Sequence, residues 1–162
     1  MNLTNHLQET RFETASGLTL AADMGGPAAG QPVILLHGGG QTRHSWSKAV
    51  FELVAAGYRV ISPDLRGHGE SQWCPHGRYT LDDYIADLGL IMGTLPSAPI
   101  LVGASLGGVV LLIGLGEQLL PRARALVLVD VVPRMEAAGV QEVINIPESL
   151  SEAAHSNLGV KK

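Results

Sequence analysis

Gly103-Ala104-Ser105-Leu106-Gly107 is preceded by the apolar run Ile100-Leu101-Val102 and followed by the apolar segment Val109–Leu115. A G-x-S-x-G sequence between a strand and a helix reads as a sharp turn that lifts the serine hydroxyl to the top of a sheet. Glycine on either side fits, because such a turn needs close approach of backbone to backbone. By itself the pattern is common, and a serine beside glycines serves as readily to cap a helix. Its meaning rests on what the rest of the chain supplies.

A chain of 162 residues with 46% hydrophobic residues is long and apolar enough to bury one ordinary core. Its net charge of −4 gives no basic footprint, so neither nucleic acid nor an acidic membrane is expected as a partner. The single cysteine, Cys74, excludes an internal disulfide and fits a reducing, cytoplasmic setting. Met1–Thr10 lacks the apolar centre of a signal peptide. The uncharged stretch between Pro99 and Glu117 is shorter than the ~20 residues a membrane span needs. Its five glycines suit a buried strand, turn and helix better.

Working outward, Leu7–Thr14 and Leu18–Gly25 read as a hairpin around Ala15-Ser16-Gly17. Val33–Leu36 is apolar on both faces, as a central parallel strand is. Ser45–Ala56 has helical spacing, Tyr58–Ser62 is a strand, and Thr80 with Asp83 forms a capping box for a helix ending before Pro96. Leu106–Leu120 is the helix leaving the turn, apolar nearly all round and so expected to be covered on both sides. Ala125–Asp130 is a further buried strand. This alternation implies a doubly wound, mostly parallel α/β sheet with helices on both faces. Past Pro133 the character changes: Met135–Ile144 and Pro147–Leu158 read as short helices, and no further buried strand follows. Residues 1–134 are therefore expected to form a partial core ending at a sixth strand, and 135–162 a separate tail. The edge at Ala125–Val129 is then uncovered and invites a homodimer.

A second motif, His37-Gly38-Gly39-Gly40, ends a different strand and matches a loop that presents a backbone donor to a carbonyl oxygen. With Asp64-Leu65-Arg66-Gly67-His68-Gly69-Glu70-Ser71, the stretch from Val33 to about Val132 resembles the α/β-hydrolase fold family. That resemblance implies a serine hydrolase for small acyl compounds. Ser105 would be the nucleophile, and the N–H groups of Gly39 and Leu106 would hold the oxyanion. Members that open epoxides or remove halides carry aspartate at this turn, so serine points to ester, thioester, lactone, amide or carbon–carbon hydrolysis. The family's chain order of nucleophile, acid and histidine makes Asp130 the candidate acid, with a structural cap as its bland alternative. The one histidine after Ser105, His155, lies in the polar tail and is a poor match for the base. His37 props the glycine loop and His68 belongs to the turn around Asp64 and Arg66. No spacing suggests a metal, no loop suggests a nucleotide, and no cofactor is expected. Without a base the chain would be weak or inactive, and a non-catalytic chain associating through its open edge is the rival reading.

Overall fold

Strands buried on both faces belong in the middle of a sheet, and strands with alternating charge at its rim. The computed structural model, which describes residues 6–131, follows this rule at one edge and breaks it at the other. Six strands, β1 (Gln8–Glu13), β2 (Thr19–Gly25), β3 (Pro32–Leu36), β4 (Arg59–Pro63), β5 (Ile100–Ala104) and β6 (Ala125–Val129), form one sheet. Their order is β1-β2-β4-β3-β5-β6. The β1–β2 hairpin and the β2–β4 pair are antiparallel, and β4, β3, β5 and β6 run parallel. β3 is buried throughout, whereas β1 alternates exposed and half-buried residues.

Helices cover both faces, as the alternation required. On one face, α1 (Ser47–Ala55) sets Val50 and Val54 against Val33, Leu35, Val60 and Val102. On the other, α2 (Leu81–Gly93) and α3 (Leu106–Gly116) pack Tyr84, Ile85, Leu88, Ile91, Val110 and Leu111 over Ile34, Leu36, Ile61 and Leu101. Each fully buried aliphatic side chain contributes about 1.5–3 kcal/mol. The capping box of α2 is present in both directions between Thr80 and Asp83.

Three expectations change. The segment expected as one helix from Ser45 begins instead as a 3₁₀ turn at Arg43–Trp46, capped by Thr42 and leading into α1. α3 stops at Gly116, four residues early, because Gln118 takes φ 57° and the N–H groups of Leu119 and Leu120 turn back to the Gly114 carbonyl. Leu120 then packs against Gly114. Finally, β6 is half-buried, with Leu128 38% exposed, because its partner is β5 alone among the described residues. Val109, Leu112 and Leu115 of α3 are likewise half-buried. The 134/135 boundary, the two tail helices and His155 lie outside the described residues. Among the described residues no helix is long and apolar enough to cross a membrane.

Candidate active site

β3 pairs with β4 on one side and β5 on the other, so the connections leaving β3 and β5 diverge. In a parallel sheet such a point of divergence leaves a crevice at the carboxyl ends of the strands. The register pairs Leu36 with Gly103, which brings the loop after β3 alongside the turn after β5. The two glycine motifs therefore meet, although Gly40 and Gly103, their nearest members, lie 63 positions apart in the chain.

Ser105 sits at φ 46°, ψ −115°, a region that non-glycine residues avoid, and it is exposed. As the residue preceding α3 it could have capped the helix, but its side chain makes no capping bond. Its N–H donates to Val129 O (3.1 Å) and its carbonyl accepts from Val109 N–H (2.9 Å), so the backbone is tied while the hydroxyl stays clear. The turn closes because Gly107 lies on the end of β3. A Cβ there would stand 2.6 Å from Leu36 O and 2.7 Å from His37 O, backbone atoms with little room to yield.

The loop after β3 is a turn closed by Gln41 N–H donating to Gly38 O (3.1 Å), with Gly40 at φ 73°. Gly38 N–H donates to Gln41 Oε1 (3.1 Å), and Gly40 N–H to His68 Nε2 (3.1 Å). Between them, Gly39 N–H has no partner among the described residues, and neither has Leu106 N–H in the first turn of α3. The first N–H groups of a helix have no intrahelical acceptor and carry partial positive charge. Gly39 packs beside Leu106, and Gly38 against the Ser105 Cβ. Two unpaired backbone donors thus flank one exposed hydroxyl.

His37 explains the loop's direction. Its ring is fully buried, Leu65 N–H donates to Nε2 (3.0 Å), and Nδ1 lies 2.7 Å from Gly38 O. A ring nitrogen facing an N–H must offer its lone pair, so the proton resides on Nδ1 and is donated to the Gly38 carbonyl. Because a peptide's C=O and N–H point oppositely, this bond turns Gly39 N–H away from the protein. Burial holds the His37 imidazole below its ordinary pKa, with the Gly38 bond acting in the opposite direction.

Residues 64–71 brace that loop from below. Asp64, fully buried, accepts from Arg43 N–H (2.6 Å), the Arg43 guanidinium and Glu70 N–H (2.9 Å). Arg66 reaches α2 and forms a two-pronged pair with Asp87, 2.7 Å at each contact. Those bonds hold the Arg66 guanidinium above its usual pKa. Ser71 Oγ donates to Asp64 O and accepts from Ala21 N–H. Arg43, Gln41 and Asp87 carried no local sequence signal; Asp87 was legible only as a carboxylate on the buried face of an amphipathic helix.

Asp130 lies on the other side of Ser105. It directly follows Val129, whose carbonyl receives the Ser105 N–H, and it is exposed at φ 51°. Among the described residues no group hydrogen-bonds its carboxylate. All four ring nitrogens of His37 and His68 are occupied by backbone partners, which leaves neither ring to serve as a base.

A family model described as the alpha/beta hydrolase fold matches residues 31–154. The chain belongs to the α/β hydrolase fold family. Among hydrolase-fold relatives, a putative non-heme chloroperoxidase of Synechocystis is 45% identical over 80 residues, 49% of this chain and 29% of that protein. An esterase of Mycobacterium tuberculosis is 39% identical over 102 residues, 62% of this chain and 33% of that protein. Bovine protein phosphatase methylesterase 1 is 31% identical over 108 residues, 64% of this chain and 28% of that protein. The chain thus spans about a third of the curated relatives it matches. Among solved structures, the thioesterase domain from the curacin biosynthetic pathway superposes with a TM-score of 0.74 at 26% identity, over 91% of this chain and 55% of that one. Epoxide hydrolase A of Mycobacterium thermoresistibile gives 0.72 at 26% identity, over 85% and 44%.

Proposed function

We propose that this chain carries the nucleophile and the anion-stabilising half of a serine hydrolase for small acyl compounds. The observation that carries the reading is the pair of unpaired N–H groups, Gly39 and Leu106, on either side of the exposed, strained Ser105. Ser105 Oγ attacks a carbonyl carbon, the carbonyl oxygen becomes an oxyanion between the two N–H donors, and water later releases the acyl group. Donors fixed before the reaction need no reorganisation when charge develops, and removing one such donor typically costs about 10²–10³ in rate. In this reading Asp130, exposed just after β6, is the acid that would orient a histidine. The names of the relatives, esterase, methylesterase and thioesterase, agree with acyl transfer; the epoxide hydrolase shares the fold.

Labelling with a fluorophosphonate, alongside hydrolysis of p-nitrophenyl acetate, tests this. We expect covalent modification of Ser105, its loss in Ser105→Ala, and slow turnover, since positioning and anion stabilisation alone leave on the order of 10³–10⁴ over water. An unlabelled, correctly folded chain would reject the reading.

A second reading, a non-catalytic chain that pairs through its edge, is favoured by β6. Val129 O faces β5, so Leu126 and Leu128 turn their N–H and C=O outward. Antiparallel pairing of two copies about Val127 sets Leu126 opposite Leu128 and exposed Arg124 opposite Asp130. Light scattering that finds a monomer at all concentrations would remove it.

A further inference from the structure

We infer that the chain binds a small aromatic anion in a cavity between the β1–β2 hairpin turn and the loop after Ser71. This site stands apart from the Ser105 crevice and needs no part of the hydrolase reading. The cavity, about 450 Å³, is lined by Ser16 and Leu18 on the hairpin and by Trp73, His76 and Arg78 on the loop. That volume lies within the range of small-molecule sites. Ala22 of β2 pairs with Pro63 of β4, which sets the hairpin turn at the carboxyl end of β4. β4 and β3 lie between β2 and the strand that carries Ser105. The walls of the cavity are held at a fixed separation. Arg66, 2% exposed, donates from Nη1 to Arg78 O (2.9 Å) and from Nη2 to Ser16 Oγ (3.3 Å), so one buried guanidinium joins loop to hairpin. Gln72 adds two bonds of 2.9 Å: its N–H donates to Thr19 O, and its Oε1 accepts from Thr19 N–H. A site fixed before binding loses little freedom when its ligand arrives.

The groups left unengaged define the ligand. The loop's own backbone is occupied, with Cys74 N–H on Tyr79 Oη and Gly77 N–H on Cys74 O. Trp73 is 77% exposed, and a flat indole lining a cavity offers its face to another flat ring. Leu18 adds an apolar wall. Arg78 is exposed and has no carboxylate within ion-pair distance among the described residues. Asp83, at the start of α2, is taken by Thr80 and Arg66. A guanidinium without a partner suits a planar oxyanion that accepts two parallel N–H bonds, a carboxylate or a phosphate. His76 makes no bond to a described side chain, and its neutral ring supplies one further N–H. The chemistry of the lining is therefore that of an aromatic ring carrying one carboxylate or phosphate group.

The experiment titrates the full chain with 2-naphthoate and with 2-naphthyl phosphate, read by proton–nitrogen correlation spectra. The chain has two tryptophans, so the Trp73 indole N–H is assigned by its loss in W73L. We expect saturable shifts of the Trp73 indole and of the Gly17 and Arg78 amides, with the Trp46 indole unmoved. Neutral 2-naphthamide and the saturated decahydro-2-naphthoate should each bind about tenfold more weakly, the scale of one charge-assisted bond or one stacked ring. R78Q should bind naphthoate and naphthamide alike, and W73L should bind the aromatic and the saturated acid alike. Both variants change exposed side chains, and unshifted resonances elsewhere verify that they fold. Tighter binding of either anion supports the inference and identifies the anionic group. Shifts that grow linearly without saturating, shifts confined to Gly39 and Leu106, or equal affinity in wild type, R78Q and W73L overturn it. Ser105 labelling is a separate readout, so this site and the hydrolase reading stand or fall independently.

Discussion

The two flanks of Ser105 are built by different rules. Towards β3 and β4, nearly every polar group has an assigned partner: His37 on Leu65 and Gly38, His68 on Gly40 and Arg66, Asp64 on Arg43 and Glu70, Arg66 on Asp87. Towards β6, Ser105 itself makes one backbone bond among the described residues, from its N–H to Val129, followed by an exposed Asp130 and an apolar strand without a described outer partner. Under the proposed function, the contrast separates two tasks of a nucleophilic site. Stabilising an oxyanion needs donors frozen in place, and the braced flank supplies that rigidity. Moving a proton needs a base beside the serine, and the described part of the open flank presents only the carboxylate that would orient one.

The sharpest way to break this contrast is to cut a buried bond on the braced flank. Arg66→Ala leaves Asp87 buried and unpaired, and should cost about 3–5 kcal/mol in urea unfolding, enough to threaten the fold. Asp130→Asn, exposed on the open flank, should stay within about 0.5 kcal/mol. A comparable loss from both would mean that the open flank is also structural.

Next comes a steric pair. Gly107→Ala drives a methyl into the backbone of Leu36 and His37 and should cost about 1–3 kcal/mol, with loss of Ser105 labelling. Gly108→Ala meets the Val131 side chain first, on the open flank, and should cost less because a side chain can turn aside. Thermal melts of the two variants check the order.

Acid should loosen the braced flank. His37 has its pKa lowered by burial, so the unfolded chain takes up a proton more readily. Its contribution to stability is complete above the ordinary imidazole range, near 6.5, and is lost as pH falls below it. The urea midpoint should therefore drop on the acid side, with a shallower slope in His37→Gln.

The smallest effect on stability belongs to the rim. Leu128→Lys should leave the melting temperature nearly unchanged while abolishing concentration-dependent association, because a charged edge resists strand pairing. β1 already carries Glu9, Arg11 and Glu13 along its exposed edge. Arg11→Leu there should leave the association state as it was, both read by light scattering.

Much of this was legible in the residues. Ser105 and the glycine loop were readable because a turn after a buried strand requires glycine at fixed offsets, and Val33–Leu36 and Ile100–Val102 announce such strands by continuous apolar runs. The capping box at Thr80 was readable because both partners lie within one turn. Arg43 and Gln41 were not, since each acts on a residue that only folding brings near. The end of α3 was missed for a related reason: Gly116 and Leu119 continue the apolar pattern, but Leu120 folds back to fill the space over Gly114.

The sequence by itself determined the strands, the helices, the alternation that makes the sheet parallel, and the serine on its turn, because each depends on spacing within a few residues. Only the tertiary structure decided which donors remain free at that serine. Gly38, Gly39 and Gly40 are identical in chemistry, and what distinguishes them is that Gln41 and His68 take the first and third N–H and leave the second. That choice is made by the register of β3 against β5 and by a loop 24 or more residues further along the chain. Hydrogen bonds are short-ranged and directional, so a donor's fate is fixed only when its competitors for partners have been placed in space.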